Sequence, residues 1–285
     1  MRIILLGATG MLGQAVFKTA SSMGLEVEAV GLSPRKPFRY PNDSLEQVLE
    51  SVSVKKTDLL VNCIGWIPQK AHGTTEMQLD QARSLNENLL AEISRLQEAI
   101  KFRWLQIATD CVFSGQRGPY LESDLKDAAD IYGRSKIAGE VFCDNAYLVR
   151  CSIVGPDTTP GARGLFEWFK RLPLGSVVNG YTNALWNGVT TWQFANLSVG
   201  LLSETGLEAF STHFVPEGFL TKFEILANFK ELLGRDDIVI RASSGPMIDR
   251  RLATENSARN NWLWQKAGFE SIPNVNGSLL TMRID

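Results

Sequence analysis

The chain has 285 residues, of which 44% are hydrophobic and 21% charged, and its 29 basic side chains nearly balance 31 acidic ones. This composition is typical of a globular protein with one large or two closely joined domains, and it excludes a fibrous or disordered chain. The formal charge of -2 supplies no basic field for nucleic acid or an anionic membrane, so we expect neither as a partner.

Cysteine and histidine usage narrows the chemistry further. The four cysteines form no CxxC pair and there are only two histidines, which excludes a disulfide scaffold and a multi-histidine site, so we predict no metal. The first apolar run ends at Gly7, too early for a signal peptide, and no later run approaches the roughly 18 uncharged apolar residues of a membrane span. We therefore expect a soluble protein of the cytoplasm.

Apolar runs alternate with helical stretches through the first half of the chain. A continuous apolar run indicates a strand buried on both faces, whereas apolar residues three and four apart indicate a helix. We predict strands at 3–6, 25–31, 58–64 and 104–109, and helices at 14–23, 44–54, 76–99 and 135–144. Strands separated by helices imply parallel pairing, because parallel neighbours need a crossover connection. The predicted fold class is α/β, with a doubly wound parallel sheet of the Rossmann type.

The pattern loosens beyond about residue 155, where Pro and Gly interrupt the chain and helices are predicted only at 193–202 and 222–233. We therefore predict a sheet-forming domain over residues 1–155 and a smaller C-terminal domain over residues 156–285. Some elements of residues 189–215 are expected to return to the sheet.

Three glycines, Gly7, Gly10 and Gly13, stand between the first strand and the first helix. Glycine permits a tight turn and lets backbone N–H groups approach a pyrophosphate, to which the helix N-terminus adds a favourable dipole. The GxxGxxG spacing differs from the usual GxGxxG, but its position directly after an apolar strand predicts dinucleotide binding. The residues assigned to this loop are Gly7, Thr9, Gly10, Met11, Leu12 and Gly13.

The choice of cofactor is expected near the end of the second strand, about 20 residues after the loop. No Asp or Glu stands there to hold a ribose 2′-hydroxyl. Arg35 and Lys36 are instead suited to a 2′-phosphate, with Ser33 as a hydrogen-bond donor. The segment therefore favours NADPH, with NADH still possible, and the alternative interpretation is a solvated basic turn.

Tyr132 and Lys136 form a YxxxK motif, which places both side chains on one face if the segment is helical. An ammonium beside a phenol stabilises the phenolate, and such a tyrosine can give a proton to a carbonyl oxygen that receives a hydride. Thr109 ends an apolar strand, and the carboxyl ends of parallel strands border the ligand crevice. A helix start and a turn cap are the alternatives for these motifs, but their order after a glycine loop predicts a reductase site.

Several segments of the sequence are similar to those of a known family. Residues 108–124, ATDCVFSGQRGPYLESD, are similar to the family pattern STDYVFDG…PY.E.D, and residues 132–140 and 148–150 follow it. The chain resembles an extended short-chain dehydrogenase/reductase, and more narrowly the dTDP-4-dehydrorhamnose reductase family of nucleotide-sugar ketoreductases. The resemblance covers most of residues 1–155.

This resemblance implies roles for individual residues. Thr109 would be the hydroxyl of the catalytic triad, Tyr132 the acid and Lys136 its partner. Further cofactor-binding residues would be Asn62, Cys63, Ile64, Gly65 and Asn86. The chain departs from the family at Cys111, where a tyrosine is usual, and in the sugar-site segment, where it has GYTNALWNG.

The substrate-binding candidates lie at the end of the Thr109 strand and in the second half. Trp186 and Asn187 would stack on and hydrogen-bond a sugar or base, or else anchor the packing between domains. Arg250 and Arg251 would bind a diphosphate, although isolated arginines are more often surface residues. The full set is Thr109, Asp110, Cys111, Trp186, Asn187, Arg250 and Arg251.

The resulting hypothesis is an NADPH-dependent reductase of a nucleotide-activated 4-keto-6-deoxy sugar, so the expected partner is a nucleotide-diphosphate sugar. An epimerase or dehydratase with bound NAD is one alternative, but a dehydratase commonly has two acids after the strand-end threonine and only Asp110 is present. A non-catalytic NADP-binding regulatory subunit is the other alternative. The sequence leaves open whether the protein forms a homodimer.

Overall fold

The computed structural model describes residues 1–31, 38–159, 161–162 and 164–284. The strands are β1 (Ile3–Leu6), β2 (Val27–Val30), β3 (Leu59–Asn62), β4 (Arg103–Thr109), β5 (Tyr147–Cys151), β6 (Ile153–Val154), β7 (Val177–Tyr181), β8 (Ala184–Trp186), β9 (Val189–Thr190), β10 (Phe210–His213), β11 (Leu220–Thr221), β12 (Val239–Ser243) and β13 (Ile248–Asp249). The α-helices are α1 (Met11–Ser22), α2 (Leu45–Ser51), α3 (Thr75–Arg83), α4 (Leu89–Ile100), α5 (Ile131–Glu140), α6 (Leu165–Lys170), α7 (Thr191–Gly200), α8 (Lys222–Leu233), α9 (Ser257–Lys266) and α10 (Val275–Leu280).

The central sheet has six parallel strands in the order β10-β5-β4-β3-β1-β2. The chain reverses its direction of travel across the sheet between β1 and β3, which is the switch point where doubly wound folds bind ligands. The predicted α/β class is therefore confirmed.

Burial on both faces explains the continuous apolar strands. Ile3 and Leu5 pack with the side chains of α1 and α7 on one face of the sheet. Ile4 and Leu6 pack with α2 and α4 on the other face. Because successive strand residues point to opposite faces, a strand between two helix layers needs an apolar residue at every position.

Several boundaries differ from prediction. The helix predicted from residue 135 begins at Ile131, because the Asp130 carboxylate caps it by accepting the Gly133 N–H at 2.9 Å. The helix predicted from residue 14 begins at Met11, directly after the glycine loop. The long helix predicted over 76–99 is two helices joined by a π-helical turn at Ser84–Asn88.

The second half contributes to both parts of the molecule. Its β10 extends the central sheet beside β5, and its α7 packs against α1. The remaining elements form small sheets, β11-β8-β13, β12-β7 and β6-β9, over a separate apolar cluster that includes Phe166, Phe169 and Phe229. Among the helices of the described residues, none is long and apolar enough to cross a bilayer.

Candidate active site

The glycine loop fits a close turn at the end of β1. Gly7 has φ +81°, and a Cβ there would lie 2.9 Å from the Cys63 carbonyl carbon. A Cβ on Gly13 would lie 2.1 Å from the Gly7 oxygen, so only glycine lets α1 start this close to the strand. The first turn of α1 carries no acidic side chain. Gly10 makes no side-chain cap hydrogen bond either, and a helix start of this kind is suited to binding an anion.

The residues predicted to choose the cofactor, Ser33, Arg35 and Lys36, lie outside the described residues. The described chain stops before them at Gly31, which has φ +76° at the end of β2.

Asn62 shapes the turn that follows β3. Its buried amide donates to Gln106 Oε1 at 2.9 Å and its Oδ1 accepts the Ile64 N–H at 3.0 Å. Ile64 is thereby held beside the glycine loop, where its Cγ1 would lie 2.9 Å from a Cβ on Gly7. Asn62 positions this turn through its side chain.

Gly65 makes room for Lys136, because a Cβ on Gly65 would lie 2.7 Å from Lys136 Nζ. A side chain at this position would compete with the ammonium for space. The turn after β3 and the helix that carries Lys136 are therefore built to fit each other.

Asn86 joins the turn after β3 to α5. Its Oδ1 accepts the Trp66 N–H at 2.9 Å, and its Nδ2 donates to the Trp66 carbonyl and the Ser135 hydroxyl. Gly139 allows α5 to approach, since a Cβ there would lie 1.8 Å from the Asn86 carbonyl oxygen. The amide is fully buried and orients α5 toward the loop.

Thr109 and Tyr132 meet at the carboxyl end of β4. Thr109 Oγ1 accepts the Cys111 N–H at 3.1 Å and lies 3.3 Å from Asp110 Oδ1. Burial raises the pKa of Tyr132 well above its usual 10, the neighbouring Cys111 raises it further, and a hydrogen bond with the Thr109 side chain opposes the shift. The phenol is therefore protonated near neutral pH and available as a proton donor.

Lys136 lies one helical turn beyond Tyr132, with its Nζ 5.8 Å from the centre of that ring. Burial lowers the pKa of the ammonium from 10.5 to about 8, while the Glu140 carboxylate partly opposes the shift. Lys136 is therefore cationic at neutral pH and close to its titration range.

Glu140 and Arg150 were not predicted as site residues. Arg150 binds both Glu140 oxygens, at 2.7 and 2.8 Å, and donates to the Thr109 carbonyl at 2.8 Å. Both side chains are more than nine-tenths buried. This pair joins α5, β5 and the end of β4, so it fixes Thr109 relative to the Tyr132 helix. Their place in the family pattern was the available signal.

Asp110 and Cys111 lie next to Thr109. Burial raises the pKa of Cys111 to about 12, with a smaller contribution from Asp110, so the sulfur is a thiol near neutral pH. Burial also raises the pKa of Asp110, and the guanidinium of Arg250 opposes the shift. The structure thus brings Arg250, from the second half, to this end of β4.

Trp186 and Asn187, two further candidates from the second half, hydrogen-bond to other residues of the protein. Trp186 Nε1 donates to the Ser152 hydroxyl at 2.9 Å. Asn187 donates to the Leu252 carbonyl at 2.7 Å and accepts the Leu252 N–H at 2.9 Å. The Asn187 amide therefore fixes a backbone segment within the second half, whereas Trp186 bonds to the first.

The sequence also matches a known protein family. A sequence model of the family described as RmlD substrate binding domain matches residues 1–158. The chain belongs to this family. The matched part of the RmlD substrate binding domain includes the glycine loop, Thr109, Tyr132 and Lys136, and it ends before Trp186 and Arg250.

Individual relatives are more distant. The chain is 28% identical over 162 residues to methionine adenosyltransferase 2 subunit beta of Danio rerio, covering 54% of this chain and 48% of that protein. It is 29% identical over 155 residues to dTDP-4-dehydrorhamnose reductase of Streptomyces griseus, covering 52% of this chain and 48% of that protein. The chain thus spans about half the length of these curated relatives.

Among solved structures, dTDP-4-dehydrorhamnose reductase of Bacillus anthracis in complex with NADP superposes with a TM-score of 0.74 at 19% identity. The superposition covers 98% of this chain and 96% of that one. At this identity the likeness shows that the two chains share a fold over nearly their whole length.

Proposed function

We propose that this protein is an NADPH-dependent reductase of a nucleotide-activated 4-keto-6-deoxy sugar. The observation that carries the proposal is the meeting of Thr109, Tyr132 and Lys136 at the carboxyl ends of parallel strands, beside a glycine loop. This arrangement supplies a proton donor, a hydroxyl and a cation at the place where doubly wound folds bind nucleotides.

The glycine loop and the start of α1 would hold the pyrophosphate of the cofactor, and Lys136 would bind its nicotinamide ribose. The bound NADPH supplies the hydride. Gly7 and Gly13 support this fit. An added Cβ at either position would clash with neighbouring backbone, so both positions lack a side chain and leave the backbone N–H groups of the loop uncovered. Arg35 and Lys36 are the reason for preferring NADPH over NADH, and the Bacillus anthracis relative in complex with NADP is consistent with it.

The residues around the carbonyl would then divide the work. Thr109 holds the carbonyl oxygen, and Tyr132 gives it a proton as the carbonyl carbon is reduced. The Lys136 ammonium stabilises the phenolate that remains, and the phenolate later takes a proton from solvent. The raised pKa of Tyr132 keeps the phenol protonated at the start of the reaction but makes it a weaker acid, so proton transfer depends on the Lys136 ammonium that stabilises the phenolate.

The proposal is tested by mixing the purified chain with NADPH and 4-keto-6-deoxy sugars carried on dTDP, UDP and GDP. We expect loss of NADPH absorbance with at least one of these sugars and tighter binding of NADPH than of NADH. Absence of turnover with every sugar would contradict the reductase, and tighter binding of NADH would contradict the choice of cofactor.

A non-catalytic regulatory subunit is the second candidate, favoured by the match to methionine adenosyltransferase 2 subunit beta. It predicts that the chain binds NADPH without oxidising it and forms a stable complex with a methionine adenosyltransferase catalytic subunit. Size-exclusion chromatography of the mixture separates this outcome from turnover. An epimerase would instead leave the total of reduced cofactor unchanged while converting the sugar.

A further inference from the structure

The backbone that carries Arg250 is fixed on both sides. Asp249 donates its N–H to the Gly115 carbonyl at 2.8 Å, and Ala253 donates to the Tyr120 carbonyl at 2.8 Å. Gly115 has φ +87°, and a Cβ there would lie 3.1 Å from Arg250 Cγ. The aliphatic part of the Arg250 side chain therefore packs against the loop that follows β4, where the absence of a side chain on Gly115 leaves room for it.

The Arg250 guanidinium points toward the reaction centre. Its Nε donates to the Phe113 carbonyl at 2.9 Å, and its Nη1 lies 3.8 Å from Cys111 Sγ. Cys111 in turn donates its N–H to Thr109 Oγ1. Nη2 hydrogen-bonds no residue that the structure describes. The contacts of Nε and Nη1 hold the guanidinium in place, and its Nη2 donor is thus available next to Cys111.

Arg251 has a different environment. It binds both oxygens of Asp249 at 2.8 Å and lies over the Phe219 ring at 4.2 Å. The two arginines predicted together for one diphosphate therefore leave the backbone toward different neighbours. Arg250 alone reaches the Thr109 end of β4.

The Arg250 guanidinium already has the acidic side chain of Asp110 as a neighbour. Burial raises the pKa of Asp110 and the Arg250 guanidinium opposes this shift, so the two groups lie close enough to interact. A diphosphate would have to share the guanidinium with the Asp110 carboxyl group. A neutral hydroxyl is the better partner for a guanidinium in these surroundings.

The position of the reacting carbon leads to the same choice. In a pyranose, carbon 4 lies across the ring from carbon 1, which carries the diphosphate. In a 4-keto-6-deoxy sugar the hydroxyl next to the carbonyl is on carbon 3, because carbon 5 carries a methyl group. We propose that Arg250 donates a hydrogen bond to this carbon-3 hydroxyl, so that the enzyme selects keto sugars in which it is free. This inference rests on the proposed reductase function.

The test compares the wild type, Arg250→Met and Arg250→Lys with dTDP-4-dehydrorhamnose and with its 3-deoxy analogue. For Arg250→Met we expect kcat/KM with the hydroxylated sugar to fall about ten- to a hundredfold, the range for one charge-assisted hydrogen bond. With the 3-deoxy analogue the variant and the wild type should be equal. Lysine should restore little, because it lacks the planar donor pair.

Two controls separate this role from folding and from diphosphate binding. Arg95→Met removes an exposed ion pair on α4 and should leave every parameter unchanged. NADPH affinity and the melting temperature report whether Arg250→Met folds. Titration with dTDP alone should give the same affinity for wild type and variant. Weaker dTDP binding, or equal losses with both sugars, would overturn the inference.

Failure of the reductase proposal would be distinct from failure of this inference. If the wild type oxidises no NADPH with any keto sugar, calorimetry with dTDP-rhamnose and its 3-deoxy analogue replaces the kinetics. Loss of affinity in Arg250→Met confined to the hydroxylated sugar would support the contact. Unchanged affinity for both sugars, or no binding of either by the wild type, would overturn it.

Discussion

Tyr132 shows how much of a site one short motif can predict. Its distance of four residues from Lys136 places both side chains on one helical face, and the structure brings them together with Thr109. The hydrogen bonds that hold these residues were not predicted, because they join positions that are distant in the chain. The Arg150 guanidinium that binds the Thr109 carbonyl is 41 residues away, and Ser135 is 49 residues from Asn86. No local spacing encodes such pairs.

Replacing Tyr132 with Phe should remove turnover and spare cofactor binding. Only the hydroxyl is lost, so the ring still fills its place on α5, while the carbonyl oxygen has no proton donor. General acid catalysis contributes about 10²–10⁴-fold, so we expect kcat to fall by that factor. Steady-state kinetics and a fluorescence titration with NADPH measure the two effects. Near-normal kcat in the variant would assign the acid to another group.

Lys136 should give the reaction a dependence on pH. Its pKa is lowered to about 8, so the ammonium is present below that pH and lost above it. Because the neutral amine no longer stabilises the phenolate, kcat/KM should fall as the pH rises through about 8. A pH series from 6 to about 10 measures this limb, which reports the free enzyme. Lys136→Met should be slow and show no such limb, and a wild-type rate that stays level to pH 10 would contradict the assignment.

At the scale of elements, the observed helices differ from the predicted ones because of capping and of contacts between elements, which the spacing of apolar residues does not encode. The start of α5 was predicted four residues late, since Asp130 is a polar residue outside the apolar pattern yet provides the cap. The π-helical turn at 84–88 interrupts a stretch that looks like one continuous helix in the sequence. Its cause is tertiary, because Asn86 in this turn bonds to the turn after β3 and to α5.

Gly139→Ala should destabilise the protein strongly. The new Cβ would lie 1.8 Å from the Asn86 carbonyl oxygen, a backbone atom that cannot move without shifting the π-helical turn. We expect a loss of about 1–3 kcal/mol in the free energy of unfolding, the range for overpacking. Urea denaturation measures it. Gly277→Ala in α10, where the added Cβ would meet no described residue beyond its own helix and chain neighbours within 4 Å, is the matched control and should be neutral or stabilising. Equal behaviour of the two variants would show that α5 does not need this contact.

At the scale of the whole molecule, the central sheet was predictable because a strand that is buried on both faces has a continuous run of apolar residues in the sequence. The second half was less so, since its strands are as short as two residues and partly exposed. β10 illustrates the difference, because its sequence FSTH has no apolar run and its place in the sheet depends on pairing with β5. Long-range pairing, rather than local sequence, builds this part of the chain.

The two halves also meet at the glycine loop, where the second half should support cofactor binding. Thr159 Oγ1 lies 3.0 Å from the Thr9 carbonyl oxygen and within hydrogen-bond distance of Asp157 Oδ1, so these two acceptors share its one O–H, and Thr158 Oγ1 donates to Gln14 Oε1 at 2.7 Å. These bonds fix the loop in the conformation that presents the α1 terminus.

Thr159→Val removes one of these hydroxyls at nearly constant volume, and the Thr9 carbonyl keeps its bond from the Gln14 amide. We therefore expect the NADPH dissociation constant to rise about two- to tenfold, the effect of one neutral hydrogen bond worth roughly 0.5–1.5 kcal/mol. Calorimetry with NADPH measures the change. Thr281→Val, whose exposed hydroxyl bonds the Gly277 carbonyl near α10, is the control and should bind NADPH like the wild type. Equal affinity in Thr159→Val and the control would show that the loop does not need the Thr159 bond to hold its conformation, because the variant keeps the two bonds from Thr158 to Gln14.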